Sequence, residues 1–187
     1  MSPKTATLSL ALLALTLTQT LSFAHALCPG FASIPEILNQ YELPPSLFPD
    51  DVQSYNCHSL PNDSLSLTIN LKGACTVTKA LGPVKNILEC QPTISATIST
   101  GKLSDVKGVT VQLYVEVLPG IVVPFGPLMT ITGAIRVFDE QYNLTCLKFT
   151  SNEGDSPCFP YSSFPKDPTK CDISAANTNQ DIPLLLA

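Results

Sequence analysis

The sequence predicts a mainly β protein, an antiparallel β barrel or sandwich with one short N-terminal helix, and three observations carry that expectation. Apolar residues alternate with Ser and Thr through several runs in the middle of the chain, Gly and Pro punctuate the intervals, and a single stretch has helical spacing. Charged residues make up only 13% of the 187 residues against 44% hydrophobic, with a formal net charge of −5. That balance argues against a disordered chain and against phosphate backbones, so nucleic acid is not an expected partner.

In chain order, residues 1–26 come first and read as a signal peptide. Lys4 precedes an apolar run from Leu8 to Leu21, and Ala24-His25-Ala26 offers small residues where signal peptidase cuts, before Leu27. The run is about fourteen residues, short of the roughly twenty needed to cross a bilayer. No later run is long enough either, so the expectation is a secreted, extracellular protein without a membrane span.

Ser33-Ile34-Pro35-Glu36 has the form of a capping box, and Ile34, Ile37, Leu38 and Tyr41 follow at i, i+3, i+4 and i+7. A short amphipathic helix is predicted there, ended by Leu43-Pro44-Pro45. From Ser64 the period becomes two: Leu65, Leu67, Ile69 and Leu71; then Ile94, Ala96 and Ile98; then Val109, Val111, Leu113, Val115 and Val117. Ile131, Ile135, Val137 and Leu144–Phe149 continue the pattern. One apolar and one hydroxyl-rich face per run is the mark of antiparallel strands with one side on a core and one in water. Between them, Val117–Leu128 is almost wholly apolar yet holds Pro119-Gly120, Pro124 and Gly126-Pro127, which predicts a core-covering loop at one end of the barrel. The domain is expected to run over residues 27–150, with 151–187 a Pro-, Ser- and Asn-rich tail.

Seven cysteines, Cys28, Cys57, Cys75, Cys90, Cys146, Cys158 and Cys171, all follow the cleavage site. In an oxidising compartment most should pair, with Cys158 and Cys171 tethering part of the tail, but spacing does not fix the connectivity. The odd count leaves one thiol, either buried and inert or available to bridge to a protein partner. A structural zinc site would need close cysteine pairs, whereas no two stand nearer than about a dozen positions, so no metal or other cofactor is expected. Two glycosylation sequons occur, at Asn62 in a polar turn and at Asn143 at the start of the last predicted strand.

Candidates for catalysis are few. His58 follows Cys57, but adjacent residues rarely face one another and Cys57 is expected to be bridged. Asp50-Asp51 and Asp139-Glu140 point to opposite sides of extended chain and read as solvated turn residues. No Gly-x-Ser-x-Gly elbow is present. A non-enzymatic role is therefore expected.

Three segments resemble the plant domain of unknown function 538 family: Ile34–Leu38 through Tyr41-Glu42-Leu43-Pro44-Pro45-Ser46-Leu47-Phe48-Pro49, then Gly73-Ala74-Cys75, then Ile98–Val109 with its Gly101-Lys102-Leu103 and Gly108-Val109 pairs. Together they span about residues 33–149. The resemblance implies a compact barrel-like β fold with a packed N-terminal helix, a kinship to lipid-binding barrel proteins and an apoplast or cell-wall location. Thr130–Phe149 is also similar to the last strands of secreted lipid-recognition sandwiches. Two functions remain open at this point. One is a binding module for an apolar small molecule or lipid, with Val111, Leu113, Val115, Phe125 and Ile131 lining a cavity and Phe125 at its mouth. The other is a structural or interaction protein whose strands close on a solid core. The presence of an interior void of a few hundred cubic ångström separates them.

Overall fold

In the computed structural model the described residues are 26–28, 30–81, 84–118 and 121–173. Residues 1–25, within the expected signal peptide, and 174–187, the end of the expected tail, fall outside them. Ten strands form one sheet: β1 (Ala26–Leu27), β2 (Val52–Leu60), β3 (Ser64–Leu71), β4 (Cys75–Leu81), β5 (Val84–Ser99), β6 (Lys102–Leu118), β7 (Ile121–Asp139), β8 (Leu144–Ser151), β9 (Gly154–Asp155) and β10 (Phe159–Pro160). One helix, α1 (Ile34–Gln40), precedes β2. The pairing order is β1-β2-β3-β5-β6-β7-β8-β10, with β4 added to β5 and β9 to β8. All pairs but β1–β2 are antiparallel, and the sheet does not close on itself. It is a bent, sandwich-like sheet.

The bend follows from the lengths. β5 pairs with β4 through its first half and with β3 through its second, so the two halves belong to two wings of the sheet. The ladder between β5 and β6 is interrupted between Cys90 and Ser95, where the strands change direction. Gly108 sits at this turn-over with φ +83°, and a Cβ there would lie 2.3 Å from the Thr93 carbonyl oxygen. Only glycine allows the two backbones to approach so closely.

Alternation builds the first wing as expected. Leu65, Leu67 and Ile69 stand directly opposite Ile98, Ala96 and Ile94 and are all buried, while Ser66 and Thr68 face Thr97 and Ser95 on the outer side. Apolar pairs at direct cross-strand positions are the contacts that fix the register, because a slip of one residue would turn them to water. Helix α1 covers this core with Ile34, Ile37 and Leu38. Its N-cap Ser33 accepts from the Glu36 amide at 3.3 Å, and the Glu36 carboxylate reaches back to the amide of Ala32 rather than to that of Ser33. The helix ends before the prolines, in a Schellman turn: Leu43 N–H donates to Leu38 O at 2.8 Å and Glu42 N–H to Asn39 O at 3.0 Å, with Glu42 at φ +56°.

Glu42 ties this turn to the sheet. Its carboxylate pairs with the Arg136 guanidinium, its carbonyl accepts from the Tyr161 hydroxyl, and the guanidinium lies 5.6 Å from the Tyr161 ring centroid. Burial, opposed by Arg136 and reinforced by Glu42, raises the Tyr161 phenol above its ordinary value near 10. A phenol with a raised folded-state value stabilises fully below the unfolded value, and the contribution is lost as pH climbs through the folded one. Stability is therefore expected to fall above about pH 10. In alkaline titration of the unfolding midpoint, Tyr161→Phe should flatten that decline while lowering neutral-pH stability by about 1 kcal/mol for the lost hydrogen bond.

Two parts of the chain differ from the sequence reading. Val117–Leu128 is not a loop: β6 continues to Leu118 and β7 begins at Ile121, forming a hairpin arm with Val115 opposite Val123 and Leu113 opposite Phe125. β-Branched residues on both sides of Pro119-Gly120 make extended backbone the better solution. Pro124 and Pro127 are tolerated because this part of β7 pairs only with β6, and prolines on the open edge also block further strand addition. Residues 151–173 are tethered through Cys158 and Cys171, as expected, but they are also built into the body more fully than a tail would be. β10 pairs with β8, Phe164 is buried in the core beside Phe149, and Thr76 and Asp172 exchange backbone hydrogen bonds of 3.0 and 2.8 Å.

Three disulfides hold these parts: Cys28–Cys57, Cys75–Cys171 and Cys146–Cys158. The first fixes the segment that follows the expected cleavage point onto β2, and the other two fix residues 158–171 to the body. Cys90 lies outside the three bridges and is 5% exposed.

Candidate functional site

Between the two wings lies an apolar cavity of about 260 Å³. Its walls come from four parts of the chain. Strands β5 and β6 supply Leu88, Ile94, Val106, Val109, Val111 and Leu113; β7 supplies Met129, Ile131 and Ala134. Leu47 and Phe48, from the turn after α1, form one end, and Phe149, Phe159 and Phe164 form the side closed by the C-terminal segment. The bend makes the cavity: where β5 and β6 turn away from the first wing, the inward side chains of the two wings diverge and do not meet. Interiors are normally packed to crystal-like density, so a void of this size in a core is itself informative.

The opening is defined by exposure. Among the lining residues, Glu153, Gly154, Asp155 and Pro157 are exposed and the rest are buried or half-buried, which puts the mouth at the β8–β9 turn. Two carboxylates stand at that rim. Deeper in, Asn86 on β5 is 6% exposed and lines the cavity, and its side-chain Nδ2 has no hydrogen-bond partner among the described residues.

Of the residues predicted to line a cavity, Val111, Leu113 and Ile131 do so. Val115 and Phe125 do not: both sit on the hairpin arm beyond the cavity, and Phe125 is 59% exposed. Three residues of β7, Gly126–Leu128, stand opposite the single Gln112 of β6, and this two-residue excess separates the arm from the paired strands that line the void. Sequence reasoning missed Leu47, Phe48, Asn86, Phe149, Phe159 and Phe164. Asn86, beside Lys85, breaks the apolar run no more than an ordinary outward-facing strand residue does and so carries no signal of its own; Phe159 and Phe164 are masked by their Pro- and Ser-rich surroundings.

The remaining candidates are placed as follows. Cys57 is bridged, which removes it as a nucleophile, and His58 lies exposed on β2 opposite Ser66. Asp51 is more than a solvated turn residue: it accepts from the Cys171 amide at 3.0 Å and pairs with Lys72 at 3.4 Å. Asp139 accepts from the amides of Gln141 and Tyr142 in the β7–β8 turn. Asp139, Cys146 and Cys158 come within metal-binding distance of one another, but the two sulfurs are bonded together. Asn62 and Asn143 are both exposed, in the β2–β3 and β7–β8 turns, so Asn143 precedes its strand and does not begin it. Among the described residues no helix is long and apolar enough to cross a membrane.

Fold and site thus define a disulfide-bridged β protein, built on one bent antiparallel sheet, that encloses an apolar cavity with an acidic rim. Residues 34–122 match the family described as Protein of unknown function, DUF538, and over those residues the chain is similar to that family. An uncharacterized protein of Arabidopsis thaliana is 27% identical over 84 residues, covering 45% of this chain and 46% of the relative. The chain therefore aligns with less than half of that relative's length. No solved structure matches this chain at a comparable level. The family match stops at Val122, the second residue of β7, so much of the cavity wall lies beyond it.

Proposed function

We propose that this protein is a secreted, non-enzymatic binding module that takes up an apolar small molecule or a lipid chain. The observation that carries this reading is the cavity of about 260 Å³, apolar in its depth save for Asn86 and open at one polar rim. Ligand pockets are apolar concavities of roughly 300–1,000 Å³ with a few placed polar groups, and this one lies at the small end of that range. Secretion is supported by the leader-like first residues and by three disulfides, which persist in oxidising compartments.

Titration with N-phenyl-1-naphthylamine, a neutral fluorescent apolar probe, tests the reading. The wild type should bind it saturably. Val111→Phe, which places a larger side chain in the void, should weaken binding about tenfold or more, equivalent to ~1.4 kcal/mol, while leaving the melting temperature unchanged or raised. Phe125→Asp, on the exposed arm, should leave affinity unaltered. Absence of saturable binding by the wild type, or equal affinity in Val111→Phe, would overturn the proposal.

A further inference from the structure

Asn86 is buried, faces a void walled by aliphatic and aromatic side chains, and keeps its Nδ2 without a hydrogen-bond partner among the described residues. Native proteins pair the great majority of buried polar side-chain atoms, because an unmade hydrogen bond leaves the full desolvation penalty uncompensated. A donor held in this state at the wall of a cavity is a group prepared for an acceptor that enters with a ligand. The rim adds a second constraint. Glu153 and Asp155 flank the entrance, so an anionic molecule would bring its charge to two carboxylates, while a neutral one passes without that repulsion. Size is the third. At ~30 Å³ for each water-sized group, the enclosed space holds roughly ten non-hydrogen atoms.

From these we infer that Asn86 is the polar anchor of the cavity, and that the ligand is a neutral apolar molecule on the scale of ten carbons that presents one hydroxyl or carbonyl oxygen to the Asn86 amide. The inference rests on the reading of the cavity as a binding site and specifies the class of its occupant. It excludes free carboxylates such as fatty-acid anions as the preferred ligand. A hydroxyl suits the amide in either orientation, since it both donates and accepts.

A matched series on one skeleton tests this: naphthalene, 1-naphthol and 1-naphthoate, titrated calorimetrically at neutral pH into the wild type and Asn86→Leu. The wild type should bind 1-naphthol about tenfold more tightly than naphthalene, as one hydrogen bond to a buried donor provides, and 1-naphthoate most weakly. In Asn86→Leu the naphthol preference should disappear with naphthalene affinity retained. The ligand-free variant should also melt at the same or a higher temperature, because an unpaired polar group has been replaced by an apolar one of similar size. A lower melting temperature for the free variant would mean that Asn86 serves the fold, and would overturn the inference. So would a naphthol preference that is absent from the wild type or survives in the variant, or tighter binding of naphthoate than of naphthol. If naphthalene binds the wild type but naphthol gains nothing, the cavity reading stands and only the anchor fails; if no compound binds, both fall.

Discussion

Serine at both Cys75 and Cys171 should lower the unfolding free energy by about 4–5 kcal/mol, the largest loss expected from any one of the three bridges. The partners are 96 positions apart, against 29 for Cys28–Cys57 and 12 for Cys146–Cys158. Closing a loop near 100 residues removes more unfolded-state freedom than closing one near 15, by roughly 4.7 against 3 kcal/mol in the chain-entropy account. The loss would be a large share of the 5–15 kcal/mol that usually separates folded from unfolded chains. It should also be unevenly spread. Asp51 still holds the Cys171 amide, and Thr76 still bonds Asp172, so the C-terminal segment keeps some attachment and opens locally before the sheet unfolds. Phe159, Phe164 and Thr169 on that segment line the cavity. Probe binding should therefore be lost at lower urea than the global transition in the double variant, and coincide with it in the wild type. A single coincident transition in both proteins, with a midpoint shift worth less than about 2 kcal/mol, would contradict the argument.

Gly108→Ala is the point substitution expected to do most damage, about 3–5 kcal/mol. A Cβ at φ +83° lies 2.3 Å from the Thr93 carbonyl oxygen, a contact with backbone that no rotamer change can relieve. Gly126 supplies the control: its φ is +76°, yet nothing stands within 4 Å of its Cβ position. Gly126→Ala then carries only the left-handed penalty, roughly 1–2 kcal/mol. The difference between the two urea midpoints isolates the close approach of β5 and β6 at the bend. Because Ile94, Val106 and Val109 adjoin that bend and line the cavity, Gly108→Ala should also reduce probe affinity, which Gly126→Ala should not.

How much of this was legible beforehand depends on whether the cause was local. The faces of β3 and the second half of β5, with Leu65, Leu67 and Ile69 against Ile98, Ala96 and Ile94, follow from alternation alone. Helix α1 follows from its cap and spacing. The arm is hidden from the sequence because Pro124 and Gly126-Pro127 signal a turn wherever a strand needs both edges, and only the pairing shows that β7 has one edge open there. The bend was not legible either. It depends on Gly108 meeting Thr93, a contact between strands whose register is fixed by the whole sheet. The cavity inherits that limit: Val111, Leu113 and Ile131 announce an inward face, but whether inward faces meet or diverge is decided at the bend. Phe159 and Phe164 were illegible for another reason, since two aromatics in a Pro-rich stretch have no periodicity until disulfides place them.

The closing of one cavity wall by the C-terminal segment also sets an order of events during synthesis. Ribosomes add about 5–20 residues per second, so the 60 positions from Ser99, the last residue of β5, to Phe159 represent roughly 3–12 s of chain growth. For that interval β4 and β5 can be present while Phe159 and Phe164 are not, and the future cavity is an open apolar trough. Apolar molecules dissolved in the folding compartment then compete with the chain's own aromatic residues for the same surface. On the binding role proposed above, occupancy of the finished protein would thus record what was present where it was made.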